Sequence, residues 1–217
     1  MEPWTLIIGN KNYSSWSLRA WLVLEHAGVP YQEQLVVLDL PESPAELARH
    51  SPTRRVPVLR IGDLSVWDSL AIAETVAERA PGAGLWPAEA DTRAIARAVT
   101  CEMHSGFATL REHMPMNVRR RAPGVGRKPG VAEDIARVQA LWAEARGRFG
   151  KGGPFLFGAF GIADAFFAPV VSRFVTYEVE VDAVSRAYMD AVWALPAMKA
   201  WCVAAAAETY ARPQYEI

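Results

Sequence analysis

Apolar residues keep two rhythms along this chain: short runs up to about residue 80, then recurrences every three or four positions. Thr5 to Ile8 is a β-type run closed by Gly9-Asn10. From Trp16 the spacing of Leu18, Trp21, Leu22 and Leu24 is helical, and Gly28 followed by Pro30 ends that helix. Residues 34–38 (Gln-Leu-Val-Val-Leu) predict a second strand. Ser43-Pro44-x-Glu46 predicts a short helix with Ser43 as N-cap and Pro44 at its first position. Val56 to Ile61 and Leu64 to Trp67 read as two strands joined at Gly62-Asp63. Leu70, Ala73, Val76 and Ala77 place a third helix over about 69–80. The order β-α-β-α-β-β-α implies a mixed sheet covered by helices.

Past Pro81-Gly82-Ala83-Gly84 the strand signal vanishes. Ile95, Val99, Met103, Phe107, Leu110 and Met114 form one apolar stripe and predict a single long helix. Further helices are predicted over 131–149, 162–176 and 184–207. The expected organisation is a small α/β domain (1–82), a linker (83–91) and an all-helical domain (92–217).

Composition narrows the function classes. Of the 217 residues 51% are hydrophobic and 22% charged, which excludes wholesale disorder. A formal net charge of −1 argues against a dedicated nucleic-acid binder. Apolar runs stop short of the ~20 residues a membrane span needs. The first residues lack the pattern of a signal peptide, so a soluble, cytoplasmic protein is expected. Two cysteines, Cys101 and Cys202, make neither a disulfide framework nor a CxxC pair. Charge is uneven: residues 1–90 hold 7 basic and 11 acidic side chains, so the remainder of the chain is net basic. Arg119, Arg120, Arg121, Arg127 and Lys128 lie in a Gly/Pro-rich connection without an acid. That stretch reads as a solvated loop or a collector of acidic substrates, and it lacks the aromatics of a single-strand binder.

Three segments of the first domain carry candidate chemistry. Asn12-Tyr13-Ser14-Ser15-Trp16-Ser17-Leu18-Arg19 joins the first strand to the first helix, where a serine hydroxyl and helix N–H groups favour an anion. A thiol there would ionise more readily, because donors stabilise the thiolate. A plain helix cap is the alternative reading of Ser14 and Ser15. In Arg55-Val56-Pro57, a cis bond before Pro57 would turn the Val56 N–H and C=O outward for an extended peptide. Asp68-Ser69, at the head of the third helix, suits the ammonium and carboxylate of an α-amino acid, or is an ordinary cap.

Together these segments resemble the glutathione transferase family over nearly the whole chain: a thioredoxin-like α/β domain, a linker and an all-helical domain. The resemblance implies that Val56, before a cis Pro57, pairs with the cysteinyl backbone of glutathione. It implies that Asp68 and Ser69 hold the γ-glutamyl end, with Arg55 a candidate for the glycyl carboxylate. Ser14-Ser15-x-Ser17-x-Arg19 resembles the serine-type members, the zeta class and its maleylacetoacetate isomerases in particular. That match makes Ser14 the thiolate-stabilising hydroxyl and Ser15 a secondary donor. Trp16 stands where the zeta pattern has cysteine, and Tyr13 is the alternative hydroxyl. Gly161-Ile162-Ala163-Asp164 resembles the family's helix-capping box, with glycine in place of Ser/Thr and Asp164 structural.

The implied co-substrate is glutathione, the implied partner a small electrophile, and no metal site is expected. Trp16, with His104, Phe107 and Arg111 on one helix face, would line the electrophile's pocket, and His104 and Arg111 would orient an anionic substrate. A homodimer follows from the resemblance. The expected activity is a glutathione S-transferase, with a zeta-like isomerase or a non-catalytic binding protein on the same fold as alternatives.

Overall fold

The structure is a computed structural model describing residues 2–216. β1 (Trp4–Ile8) pairs in parallel with β2 (Gln32–Leu35) and antiparallel with β3 (Val58–Ile61), which pairs antiparallel with β4 (Leu64–Trp67). The parallel pair needs a crossover, which α1 (Ser15–Ala27) supplies. Side chains alternate along β1, so Leu6 and Ile8 face one side and Ile7 the other. All three are fully buried because both faces are covered. Leu6, Ile8, Leu59 and Ile61 join a core with α1 and α3 (Ser69–Arg79) that continues into the helical half. Ile7, Val36 and Val58 meet Leu47 of α2 (Ser43–His50) on the opposite face.

After a short 3-10 turn at Pro81–Ala83, the regular elements are helical: α4 (Ala90–Ser105), α5 (Ala108–His113), α6 (Val131–Phe149), α7 (Ile162–Thr176), α8 (Ala183–Ala194) and α9 (Pro196–Ala207). α7 is buried almost all round and packs against α1, α4 and α8. This is the expected α/β thioredoxin-like domain followed by an all-α domain.

Four local expectations are corrected. The second strand lies at 32–35 rather than 34–38, because the Leu38 N–H turns to Asn10 Oδ1 (2.8 Å) and the Val37 carbonyl to the Ser43 hydroxyl (2.6 Å). Ser43 is therefore the first residue of α2, and Glu42 occupies the cap position. The single long helix predicted through Met114 is broken between α4 and α5. Gly106 leaves the helix, where a Cβ would lie 2.7 Å from the Glu102 carbonyl, and Phe107 adopts φ 58°. The apolar stripe survives the break, since Phe107, Leu110 and Met114 remain buried. The helix predicted over 184–207 divides at Pro196, which starts α9 after an extended Leu195.

Asp164 closes the start of α7. Its carboxylate accepts from Leu156 N (3.0 Å) and Gly161 N (2.9 Å). A side chain at 161 would meet the Leu85 carbonyl at 2.8 Å, so glycine fits where Ser or Thr would not. Burial pushes the Asp164 carboxyl up to about 6, against hydrogen bonds that pull it down. The folded state then holds this proton more tightly than the unfolded chain does. The group's contribution is greatest below pH 3.8 and falls as pH rises through about 6. Asp164→Ala, which strips two N–H groups of their acceptor, is expected to lower stability by roughly 2–4 kcal/mol in denaturant titrations.

Candidate active site

The turn between β1 and α1 is built from its own polar groups. The Asn10 carbonyl accepts from Tyr13 N (3.1 Å) and Ser14 N (2.8 Å). Ser14 is the N-cap of α1, accepting from Ser17 N at 3.3 Å, and its hydroxyl donates to Ser17 Oγ at 2.7 Å. Ser17 Oγ also accepts from Gly9 N at 3.0 Å. Ser15 begins the helix, and its hydroxyl makes no hydrogen bond among the described residues. The β1 side of the turn is clamped by the helical half and the segment after it. Asn12 Nδ2 donates to Asn117 Oδ1 (2.9 Å), Trp201 Nε1 to the Lys11 carbonyl (2.9 Å), and Lys11 N and Asn12 N to the Glu208 carboxylate.

Val56–Pro57 is cis, and β3 starts only at Val58. Val56 N–H and C=O are unpaired among the described residues. Asp68 holds φ 75°, an uncommon conformation for a non-glycine residue, and caps α3 by accepting from Leu70 N at 2.8 Å. Ser69, first in α3, is fully buried with a hydroxyl that finds no partner among the described residues. These residues line one cavity of about 590 Å³ with Trp16 and Arg55.

A second cavity of about 490 Å³ adjoins the first through Trp16, Arg55 and Val56, and receives Tyr13, Ser14 and Ser15. Its wall includes five arginines, Arg54, Arg55, Arg111, Arg173 and Arg212, and, among the described residues, one acidic residue, Asp39. Burial pushes Arg173 down to about 10, with Arg111 adding repulsion, and burial also lowers Arg111. Behind the cavity, Arg19 is 1% exposed, with Nε and Nη1 unpartnered among the described residues and its guanidinium 4.3 Å from the Trp16 ring centroid and 4.9 Å from that of Phe166. Desolvation first, then Arg111 and Arg173, hold its pKa well below the ordinary arginine value, with Asp68 opposing.

Most predicted site residues converge. Ser14, Ser15, Trp16, Arg55, Val56, Pro57, Asp68 and Ser69 line the two adjoining cavities, and Arg111 lies in the second. His104 does not: its Nε2 sits 3.3 Å from Asp68 Oδ2, with its ring edge-on to Trp16. Burial lowers its pKa, with Arg19 and Arg111 acting in the same direction and Asp68 against them. Phe107 is in the core at the α4–α5 break and lines neither cavity. Arg111 spans that break, donating to the Met103 and His104 carbonyls. Tyr13 hydroxyl donates to Glu216 and accepts from Arg119 at 3.0 Å. Arg119 therefore braces the turn and the segment after α9 rather than standing free in solvent.

The sequence profile for the glutathione S-transferase N-terminal domain matches residues 13–79, and that for the C-terminal domain matches residues 128–204. The chain belongs to the glutathione S-transferase family. A crystal structure of a glutathione transferase homolog from Burkholderia GL BGR1, with bound glutathione, superposes with TM-score 0.72 at 25% identity, covering 95% of this chain and 100% of that one. A dichloromethane dehalogenase of Methylorubrum extorquens is 40% identical over 60 residues, 27% of this chain and 21% of that protein. A Caenorhabditis elegans protein named "Probable maleylacetoacetate isomerase" is 28% identical over 142 residues, 64% of this chain and 65% of that protein. The matches thus span less than two thirds of each of these curated relatives.

In this glutathione S-transferase family member, no helix among the described residues is long and apolar enough to cross a membrane. Arg173 was missed by sequence reasoning although a signal existed: it and Asp164 are the only charges in α7. The two residues at the head of α3 should separate in stability. Ser69→Ala removes an unpartnered buried hydroxyl, so thermal denaturation should show an unchanged or raised Tm. Asp68→Ala removes a helix cap and should cost about 1 kcal/mol.

Proposed function

We propose that the protein activates the thiol of glutathione for attack on a small electrophile that carries an acidic group. The observation that carries this reading is the arrangement of two free recognition groups, the Ser69 hydroxyl and the Val56 backbone, around a serine-bearing helix start that opens onto five arginines. Glutathione lies extended across the first cavity, its γ-glutamyl carboxylate at Ser69 and the α3 N-terminus, its ammonium at Asp68, and its cysteinyl backbone on Val56. Arg55 is placed to take the glycyl carboxylate.

The thiol then lies over the first turn of α1. Ser14 donates to Ser17 Oγ across 2.7 Å, while the Ser17 hydroxyl proton has no acceptor among the described residues. When a thiolate arrives, the bond between the two serines reverses: Ser17 donates to Ser14, and Ser14 turns its proton to sulfur. No heavy atom has to move, which is the property of a preorganised donor. Ser15 supplies a second donor, and the thiol proton leaves to solvent. The thiolate forms a carbon–sulfur bond at the electrophilic carbon, and a leaving group departs with its electron pair. Arg111 and Arg173 hold the substrate's acid.

A second outcome uses the same site. Thiolate addition to a carbon–carbon double bond conjugated with a carbonyl gives an adduct free to rotate about the former double bond, and expulsion of the thiolate returns the isomer. The kinship with the nematode protein and the arginine-rich wall favour this alternative for maleyl-type acids. A non-catalytic carrier would keep glutathione affinity without turnover of chlorinated aromatics, maleyl-type acids or hydroperoxides. We place the working unit as a homodimer, which light scattering tests directly.

Ser14→Ala is expected to raise the pH at which bound glutathione shows thiolate ultraviolet absorbance and to slow turnover by about ten- to a thousandfold. Unchanged ionisation and turnover would remove Ser14 from its role. Ser69→Ala, harmless to stability, should weaken retention on immobilised glutathione about tenfold or more.

A further inference from the structure

The segment 208–216, after α9, runs back over the α/β domain and forms part of the second cavity's wall. It is held almost wholly by polar contacts. Glu208 accepts from Lys11 N and Asn12 N at 2.6 and 3.1 Å, Arg119 donates to the Glu208 and Tyr210 carbonyls, and Asn117 Nδ2 donates to the Tyr215 carbonyl at 3.1 Å. Arg212 and Gln214 both donate to Asp39 Oδ2, the latter at 2.6 Å. None of residues 208–216 is fully buried, although Tyr215 packs near Tyr13 with ring centroids 5.9 Å apart. Glu208 is the part-buried anchor of this strap. The contacts of Tyr210, Arg212 and Gln214 are exposed and polar, individually weak and screened by salt, so the stretch beyond Glu208 opens at small cost compared with the helices beneath it.

Arg212 is the strap's cation in the cavity. Its side chain is 15% exposed, stacked with its guanidinium carbon 4.4 Å from the Tyr215 ring centroid, and engaged with Asp39, whose side chain is 48% exposed. Asp39 is the one acidic side chain on that wall among the described residues, and it sits on the loop after β2 in the left-handed conformation, φ 65°. A guanidinium already oriented by a stacked ring and a half-solvated carboxylate is prepared for exchange between acids at small entropic cost.

We propose that Arg212 is a specificity-determining residue of the second cavity: closure of the strap brings it to the acidic group of the substrate, and Asp39 holds it until that acid takes Asp39's place. This rests on the reading of the second cavity as the electrophile's site. Arg212 thereby favours substrates with an acid group over neutral ones, and it leaves recognition of glutathione itself to the first cavity.

The test compares two glutathione conjugates by isothermal titration calorimetry: S-(1,2-dicarboxyethyl)glutathione, with an acidic substituent, and S-butylglutathione, with a neutral one. The wild-type chain should prefer the acidic conjugate. Arg212→Gln should cut that preference about tenfold by weakening the acidic conjugate alone, and Arg212→Lys should restore part of it. Asp39→Asn should strengthen the acidic conjugate by more in the wild-type background than beside Arg212→Gln, since the competitor then has nothing to release. An unchanged preference in Arg212→Gln, or an equal loss for both conjugates, overturns the role of Arg212 while leaving the glutathione reading intact. Failure of the wild-type chain to bind either conjugate overturns the glutathione reading and this inference with it.

Discussion

The seam between α1 and α7 carries the rest of the molecule. α1 brings the serine turn, the crossover between parallel strands and the Trp16 ring, while α7 is the buried spine of the helical half. The two meet around Arg19, a guanidinium withdrawn from water with aromatic rings near it and, among the described residues, no carboxylate in direct contact. Cation–π attraction offsets only part of the cost of burying such a charge. Asp68 is the acid that opposes its depressed pKa, and Asp68 also caps α3. The electrostatics of this seam therefore reach both ends of the first cavity. A change that loosened α1 from α7 would disturb Trp16, shared by both cavities, before it disturbed the sheet.

Much of this was legible in the residues. The alternation of short runs and helical stripes located the elements, since the sheet is covered on both faces and helices such as α4, α6 and α8 bury one stripe each, while α7 is buried almost all round. Ser14, Val56-Pro57 and Asp68-Ser69 declared themselves because each stands where an element begins, and backbone groups at such positions lack partners of their own. The α4–α5 break was hidden because Phe107, Leu110 and Met114 keep the helical spacing across it. Only Gly106 marked the place, and an isolated glycine inside a helical pattern is a weak signal. His104 shared that apparent face with Phe107 and Arg111, and His104 and Arg111 do both pack on Trp16. The break, however, turns Phe107 into the core, and Asp68 holds the His104 ring outside the cavity that Arg111 lines.

The arginine wall illustrates what periodicity does not reveal. Arg54 and Arg55 come from the loop before β3, Arg111 from the six-residue α5, Arg173 from the spine and Arg212 from the segment beyond the last long helix. No spacing rule links five positions scattered over more than 150 residues of sequence. Their convergence is a property of the tertiary fold. The near-neutral total charge conceals it, because the compensating acids lie elsewhere on the surface.

The clamp on the serine turn bears on the order in which the site comes into being. Lys11 and Asn12 leave the ribosome early, but their partners Asn117, Trp201 and Glu208 follow about 105 to 197 residues later. The strands and α1 need few of those later residues to begin pairing. The turn beside them waits for its scaffolding until the last helix has docked. A nascent α/β half would thus hold the serines in sequence without yet holding them in place, and competence for thiol chemistry arrives only with the completion of the helical half.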